Sequence, residues 1–205
     1  MTFRERATAT ARMTDAGDVD GVHGEVVVLD ADAGVVGRMD KLDAHRRSTR
    51  HLAFSVLLFA DDGRVLLQRR AAGKYHFAGR WSNTCCSHPR PGEPLRAAGR
   101  RRTREELGLD PGPLEVHGAF WYQAHDAGSG LTEHEYDVVL VGRLDGAVPD
   151  RDRFDPTEVD AIRLIPPEEV RAACAGSPHS FTPWLLQVLD VATGPPGPIA
   201  VDVPH

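Results

Sequence analysis

The sequence predicts an α/β fold, a mixed β-sheet packed between helices, and three observations carry the prediction. Apolar, β-branched runs of strand length dominate the first half of the chain. One helical pattern, over 93–107, interrupts them, and further strands then lead into helices near the C-terminus. At 205 residues the chain can form one domain with a proper core plus extensions, and elements in this order pack as layers.

Taken in order, residues 1–22 read as an unstructured leader, because they carry arginines but no apolar stretch of a secretory signal. The domain is expected over 23–193. "GEVVVLDADAGVVGRMD" (24–40) reads as two short strands around an Asp-Ala-Gly turn. "LAFSVLLFADDGRVLLQRRA" (52–71) is a hairpin turning at Asp61-Asp62-Gly63. "GEPLRAAGRRRTREELGLDPG" (92–112) contains the helix, with Pro94 at an early helical position and Gly108 at its stop. Strands follow over 114–124, 134–144 and 159–165, then helices over 168–176 and 181–192. The Pro/Gly-rich tail, 194–205, is expected to be disordered.

Composition narrows the function classes. Apolar content of 41% and charged content of 26% are ordinary for a soluble globular protein. The longest apolar stretch, around 53–60, falls far short of a membrane span, so no membrane association is expected. Three cysteines, two of them adjacent, make no disulfide framework and suit a reducing cytoplasm. A net charge of −6 argues against a nucleic-acid partner. Arginines nevertheless crowd "HRRSTRH" (45–51) and "GRRRTREE" (99–106), which suits a small polyanion, although solvated helix charge is the commoner explanation.

On the helix, Leu95, Gly99, Thr103 and Leu107 share a row that can face the sheet, with Gly99 permitting close approach. Arg102 and Glu106 then lie at the edge of the buried face. A second constellation joins His45, His51, His88, Glu133 and Glu135. "EHE" (133–135) on a strand sends both carboxylates to one side, and three imidazoles with two carboxylates suit Zn²⁺ or Mn²⁺. Singly, each residue is weak evidence, since the chain has ten histidines and none of these pairs has compact ligand spacing.

Ser87, Glu93 and "RRTREELGL" (101–109) together resemble the box of the Nudix superfamily. Ser87 stands in place of the first glycine, and Arg102 in place of a glutamate that helps hold magnesium in Nudix hydrolases. An arginine there is better suited to gripping a diphosphate than to cleaving it. With "WSNTCCSHP" (81–89), "EHE", "FTPW" (181–184) and "KLDAH" (41–45), the chain resembles the type I isopentenyl-diphosphate isomerases over roughly residues 24–192.

The resemblance implies a Nudix-type α/β/α sandwich and a cytoplasmic enzyme of isoprenoid biosynthesis that interconverts isopentenyl and dimethylallyl diphosphate. It implies Cys86 as the acid, Glu135 as the base, Tyr122 beside that base, and Trp184 facing a carbocation. His45, His51, His88, Glu133 and Glu135 would hold a Mn²⁺ or Zn²⁺ ion. Glu106 and the Cys86 carbonyl would hold Mg²⁺, and Lys41, Arg70, Lys74 and Arg102 the diphosphate. Cys85 reads as a packing residue. The chain departs from the family pattern at Ser87, at Ala78 where a proline is expected, and in the five residues between His45 and His51, one fewer than expected. The competing functions are a Nudix hydrolase of another diphosphate and a non-catalytic binder of prenyl diphosphate or metal. The implied substrate is a free C5 prenyl diphosphate, taken by a monomer or homodimer.

Overall fold

A computed structural model describes residues 24–146 and 148–203; the expected leader, 1–22, lies outside them. The first strands, β1 (Glu25–Leu29) and β2 (Val35–Asp40), form an antiparallel hairpin. The Asp30 carboxylate closes its turn by accepting from the amides of Asp32 and Gly34 at 2.9 and 2.8 Å. A short helix that the sequence does not announce follows directly, α1 (Lys41–Arg47), capped by Asp40, which accepts from the Asp43 amide. Next come β3 (His51–Phe59) and β4 (Val65–Arg70), turning at Gly63 with φ +83° as "ADDG" predicts.

The segment 81–87, to which no element is assigned from sequence, forms two short strands, β5 (Trp81–Ser82) and β6 (Cys85–Ser87). Pairing with β4 and β3 specifies them, which local pattern over so few residues cannot reveal. Helix α2 spans Leu95–Leu107, so Pro94 is its N-cap, in extended conformation, rather than a residue of the first turn. Strands β7 (Glu115–Asp126) and β8 (Leu131–Arg143) form a long hairpin, and β9 (Val159–Ile165) pairs with β4. Helices α3 (Pro167–Gly176) and α4 (Leu185–Thr193) follow. "FTPW" therefore precedes the last helix instead of opening it, and the Thr182 amide ties it to Trp81 at 2.9 Å.

All nine strands belong to one sheet, centred on β3, which pairs with β1, β4 and β6 antiparallel and with β8 parallel. Alternation along β3 and β8 divides the core. Leu52, Phe54, Val56 and Leu58 face α2 with Val138 and Leu140, whereas Leu57 and Val139 face α3 and α4. The sandwich is thus mixed sheet between helices, as expected. At Gly99 a Cβ would lie 2.7 Å from a Leu140 methyl and 2.8 Å from a Leu114 methyl, so only glycine lets α2 approach this closely. Beyond Thr193 the chain corrects the expectation of disorder. Val201 is buried with Ile199 and Val203 beside it, and the Ala200 amide donates to the Tyr136 hydroxyl at 2.8 Å. Spaced apolar residues behind the prolines give this tail a surface to bury. No helix among the described residues is long and apolar enough to cross a membrane.

Candidate active site and metal centre

Strand period sets the centre of the site. On β8, Glu133, Glu135 and Asp137 alternate onto one buried face. The parallel register pairs Glu135 with His51 at the start of β3, so the two side chains stand side by side. His45 comes from α1 and His88 follows β6. One ligand atom from each of His45, His51, His88, Glu133 and Glu135 lies within 4.8 Å of all the others. The short connection between His45 and His51 therefore brings both to the cluster. It does so through Ser48, which closes α1 in the left-handed conformation at φ 52° and is held by Gln123 and His134.

The donor chemistry fits a divalent cation. His51 Nδ1 donates to the Thr49 carbonyl at 2.7 Å, which leaves the lone pair on Nε2. That Nε2 faces His88 Nε2 at 3.1 Å and Glu135 Oε1 at 3.3 Å. Burial, with the nearby His45, brings His51 down to about 4, and burial with His51 and Lys41 takes His88 well below its usual range. Uncharged imidazoles facing one another with lone pairs converging suit a cation that accepts from both. His45 Nε2 and Glu133 Oε2, 3.0 Å apart, are both buried without a well-formed hydrogen bond. Burial pushes the Glu135 carboxyl well up, and the charges of Glu133 and Asp137 add to the rise.

On the neighbouring strand Cys86 is half-buried, and its thiol donates to Asn83 Oδ1 at 2.9 Å. The Trp184 indole N–H approaches Cys86 Sγ at 3.3 Å. Burial raises the thiol above its usual range against the hydrogen bond from Ser82, so it stays protonated at neutral pH. Cys85 is fully buried, consistent with packing. Ser87 sits in β6 paired with Phe54 and is absent from the residues of positive φ, so it replaces a glycine without strain. Across the cleft the Tyr122 hydroxyl donates to Glu135 Oε2 at 2.5 Å. The Tyr122 and Trp184 rings lie 5.5 Å apart, forming an aromatic wall of the cleft that touches the carboxylate at one end and the thiol at the other.

Cations occupy the other end. Lys41, Arg70, Lys74 and Arg102 line the same cleft as Cys86 and Glu135, and its free volume is about 40 Å³. Arg102 reaches Glu106 Oε1 at 2.7 Å and Glu158 Oε1 at 3.1 Å. Glu106 also accepts from Gln68 at 3.2 Å and stands apart from the five-residue cluster. Lys74 pairs with Glu158. Burial and the charges of Lys74 and Arg102 bring Lys41 down to about 8. Behind them, Arg101 grips both oxygens of Glu93 at 2.7 and 2.8 Å, bracing α2 against the segment that joins it to β6.

Of the residues expected from the sequence, Lys41, Arg70, Lys74, Cys86, His88, Arg102, Tyr122, Glu133, Glu135 and Trp184 line one cleft. His45 and His51 lie beneath it in the five-residue cluster, and Glu106 lies outside that lining, against Arg102. Four more belong to the site without having been singled out: His76 contacts Glu133, Tyr75 approaches His45 at 3.3 Å, Asn83 holds the thiol, and Glu158 bridges two cations. "GKYHFAG" and "DPTEV" look like ordinary loop and turn. Only the pairing of β4 with β5 and β9 brings them inward.

Residues 49–185 match the NUDIX domain family. The isopentenyl-diphosphate Delta-isomerase of Nocardia farcinica is 48% identical over 168 residues, covering 82% of this chain and 93% of that protein. The isopentenyl-diphosphate Delta-isomerase of Streptomyces coelicolor is 42% identical, covering 91% and 90%. Among solved structures, DR0079 of Deinococcus radiodurans superposes with a TM-score of 0.66 at 18% identity, covering 83% of this chain and 99% of that one, a likeness of fold. The family match over 49–185 and the identity to these relatives over most of the chain agree with a cleft that holds a thiol, a carboxylate and two aromatic rings. The chain is a member of the type I isopentenyl-diphosphate Delta-isomerases of the Nudix superfamily.

Proposed function

We propose that the protein interconverts isopentenyl and dimethylallyl diphosphate by moving a proton onto one end of the double bond and another off its far side. The observation that carries this reading is one cleft lined by the protonated Cys86 thiol, Glu135 and two aromatic rings, Trp184 against the thiol and Tyr122 against the carboxylate. Cys86 donates its proton to the terminal methylene carbon, leaving a tertiary cation at the branched carbon. The Trp184 ring faces that cation and stabilises it without supplying a nucleophile. Glu135, hydrogen-bonded to Tyr122, takes the proton from the carbon next to the oxygen-bearing one, and the new double bond forms there. The Trp184 and Tyr122 rings, which line the cleft, shield the cation from capture by water as an alcohol.

His45, His51, His88, Glu133 and Glu135 are the residues that would hold a Mn²⁺ or Zn²⁺ ion, and Glu106 with the Cys86 carbonyl a Mg²⁺ ion. When bound, these ions would supply positive charge that holds Glu135 ionised against its burial, as a base must be, and offsets the charge of the diphosphate. Lys41, Arg70, Lys74 and Arg102 bind the diphosphate and fix the C5 chain against Trp184. Arg102, replacing a metal-holding glutamate of the hydrolases, favours holding the diphosphate intact over cleaving it. A cytoplasmic location and action on a free small molecule, by a monomer or homodimer, accompany this reading.

The test is incubation of isopentenyl diphosphate with the protein, Mg²⁺ and Mn²⁺ or Zn²⁺, followed by product chromatography and a phosphate-release assay. Dimethylallyl diphosphate without phosphate release is expected. Phosphate or monophosphate release instead would make the protein a hydrolase, and tight binding without turnover a non-catalytic descendant.

A further inference from the structure

Among the groups the chemistry above leaves unused, Glu158 stands out by position. It follows the short segment 150–157 at the start of β9, on an element separate from those that carry the diphosphate-binding cations. Its side chain is buried, 8% exposed, between two of them. One carboxylate oxygen accepts from Arg102 on α2 at 3.1 Å, and the other pairs with Lys74 on the loop after β4. Its backbone grips the same loop, because the Ala71 amide donates to the Glu158 carbonyl at 2.9 Å and the Lys74 amide in turn donates to Ala71 at 3.1 Å.

We propose that Glu158 is a positioning residue of the diphosphate subsite, its carboxylate bridging Lys74 and Arg102 and holding these two cations within reach of one anion. The inference rests on the isomerase reading above. Its physical basis is the mutual repulsion of buried cations. Lys41, Arg70, Lys74 and Arg102 share one small cleft, and without a counter-charge the flexible lysine on its loop swings out to water. Glu106 already engages Arg102 from α2 itself, four residues on, and so cannot fix the loop. Glu158 alone among the described carboxylates pairs with both cations, as a single anion spanning two elements. Burial by itself would raise its carboxyl, but Lys74 and Arg102 outweigh that and hold it at about 2, so the bridge is charged throughout the neutral range. A bound diphosphate then finds both partners oriented, and the ordering of a lysine side chain is not charged against binding.

The carboxylate also repels the incoming diphosphate, so the sign of the effect is the decisive reading. Glu158→Gln keeps the shape and removes the charge. Kinetics with isopentenyl diphosphate and calorimetric titration with magnesium pyrophosphate, on the full chain with metals supplied, separate the possibilities. Expected are a KM and a pyrophosphate Kd raised about tenfold, equivalent to ~1.4 kcal/mol, with kcat changed far less. A folded Glu158→Gln protein with unchanged or lowered KM and Kd overturns the inference, as does a fall confined to kcat. Should the amide variant fail to fold, Glu158→Asp, which retains charge but shortens the reach, is expected to give an intermediate rise in KM. Wild-type values in Glu158→Asp overturn the inference equally. Absence of isomerisation by the unaltered protein in the same assay would sink the functional reading instead.

Discussion

The two ends of the cleft are built on opposite principles. At the imidazole–carboxylate end, buried donors crowd together: the Nε2 atoms of His51 and His88 meet each other and Glu135, and His45 Nε2 and Glu133 Oε2 approach without a well-formed hydrogen bond. At the cation end, Arg102 and Lys74 are already engaged by Glu106 and Glu158. The first end has the donors to hold an added cation, which would offset the cost of burying these polar atoms. The second is complete within the protein and must exchange part of its ion-pair network for phosphate oxygens. On the proposed function, chemistry belongs to the first end and substrate grip to the second.

That division can be broken by experiment. Replacing Cys86 with alanine is expected to lower kcat by about 10²–10⁴-fold, with KM and metal content nearly unchanged. Full activity in that variant would remove the thiol from the mechanism. Next in size, His88→Ala is expected to weaken Mn²⁺ or Zn²⁺ binding by more than the roughly 10–100-fold that loss of a supporting partner costs. Calorimetric metal titration reads this without reference to turnover. His76→Ala, which removes a contact behind Glu133, is expected to fall within that smaller range. An unaltered metal affinity in both variants would mean that the cluster is not a metal centre.

At the other end, Arg102→Met is expected to raise KM more than it lowers kcat. It also strands Glu106 and Glu158, so a stability loss of about 3–5 kcal/mol is expected in chemical denaturation. A dominant effect on kcat would erase the proposed division of labour. The smallest effect is pH-dependent. Glu158 sits at about 2 in the folded protein, below the roughly 4.3 of an unfolded glutamate. Its stabilisation is therefore present above the unfolded value and is lost as pH falls from about 4 toward 2. Melting curves of wild type and Glu158→Gln are expected to converge over that interval, and a constant gap would contradict the charged bridge.

Sequence reading reached the first end more fully than the second. "EHE" on a strand and histidines flanking strand β3 announce themselves, because alternation fixes which side chains share a face. Arg102 and Glu106 were equally legible from helical spacing, and Gly99 from the need for a close approach. Glu158 and His76 were not, since each lies in a turn-like segment and turns inward only through long-range strand pairing. The family resemblance, more than periodicity, distinguished Cys86 from Cys85 and gave Trp184 its role. In the tail, proline content masked the apolar spacing of Ile199, Val201 and Val203 that seats it on the core. The helix α1 is too short for its period to be seen against the flanking strands.

The most direct test of the central claim, a proton delivered from a solvent-exchangeable thiol and another removed by a carboxylate in the same cleft, is the reaction in D₂O. Mass spectrometry of the dimethylallyl diphosphate formed by the wild-type protein is predicted to show solvent deuterium in the newly made methyl group, and the product to be lost in Cys86→Ala. Product formed at full rate without solvent deuterium would contradict the account.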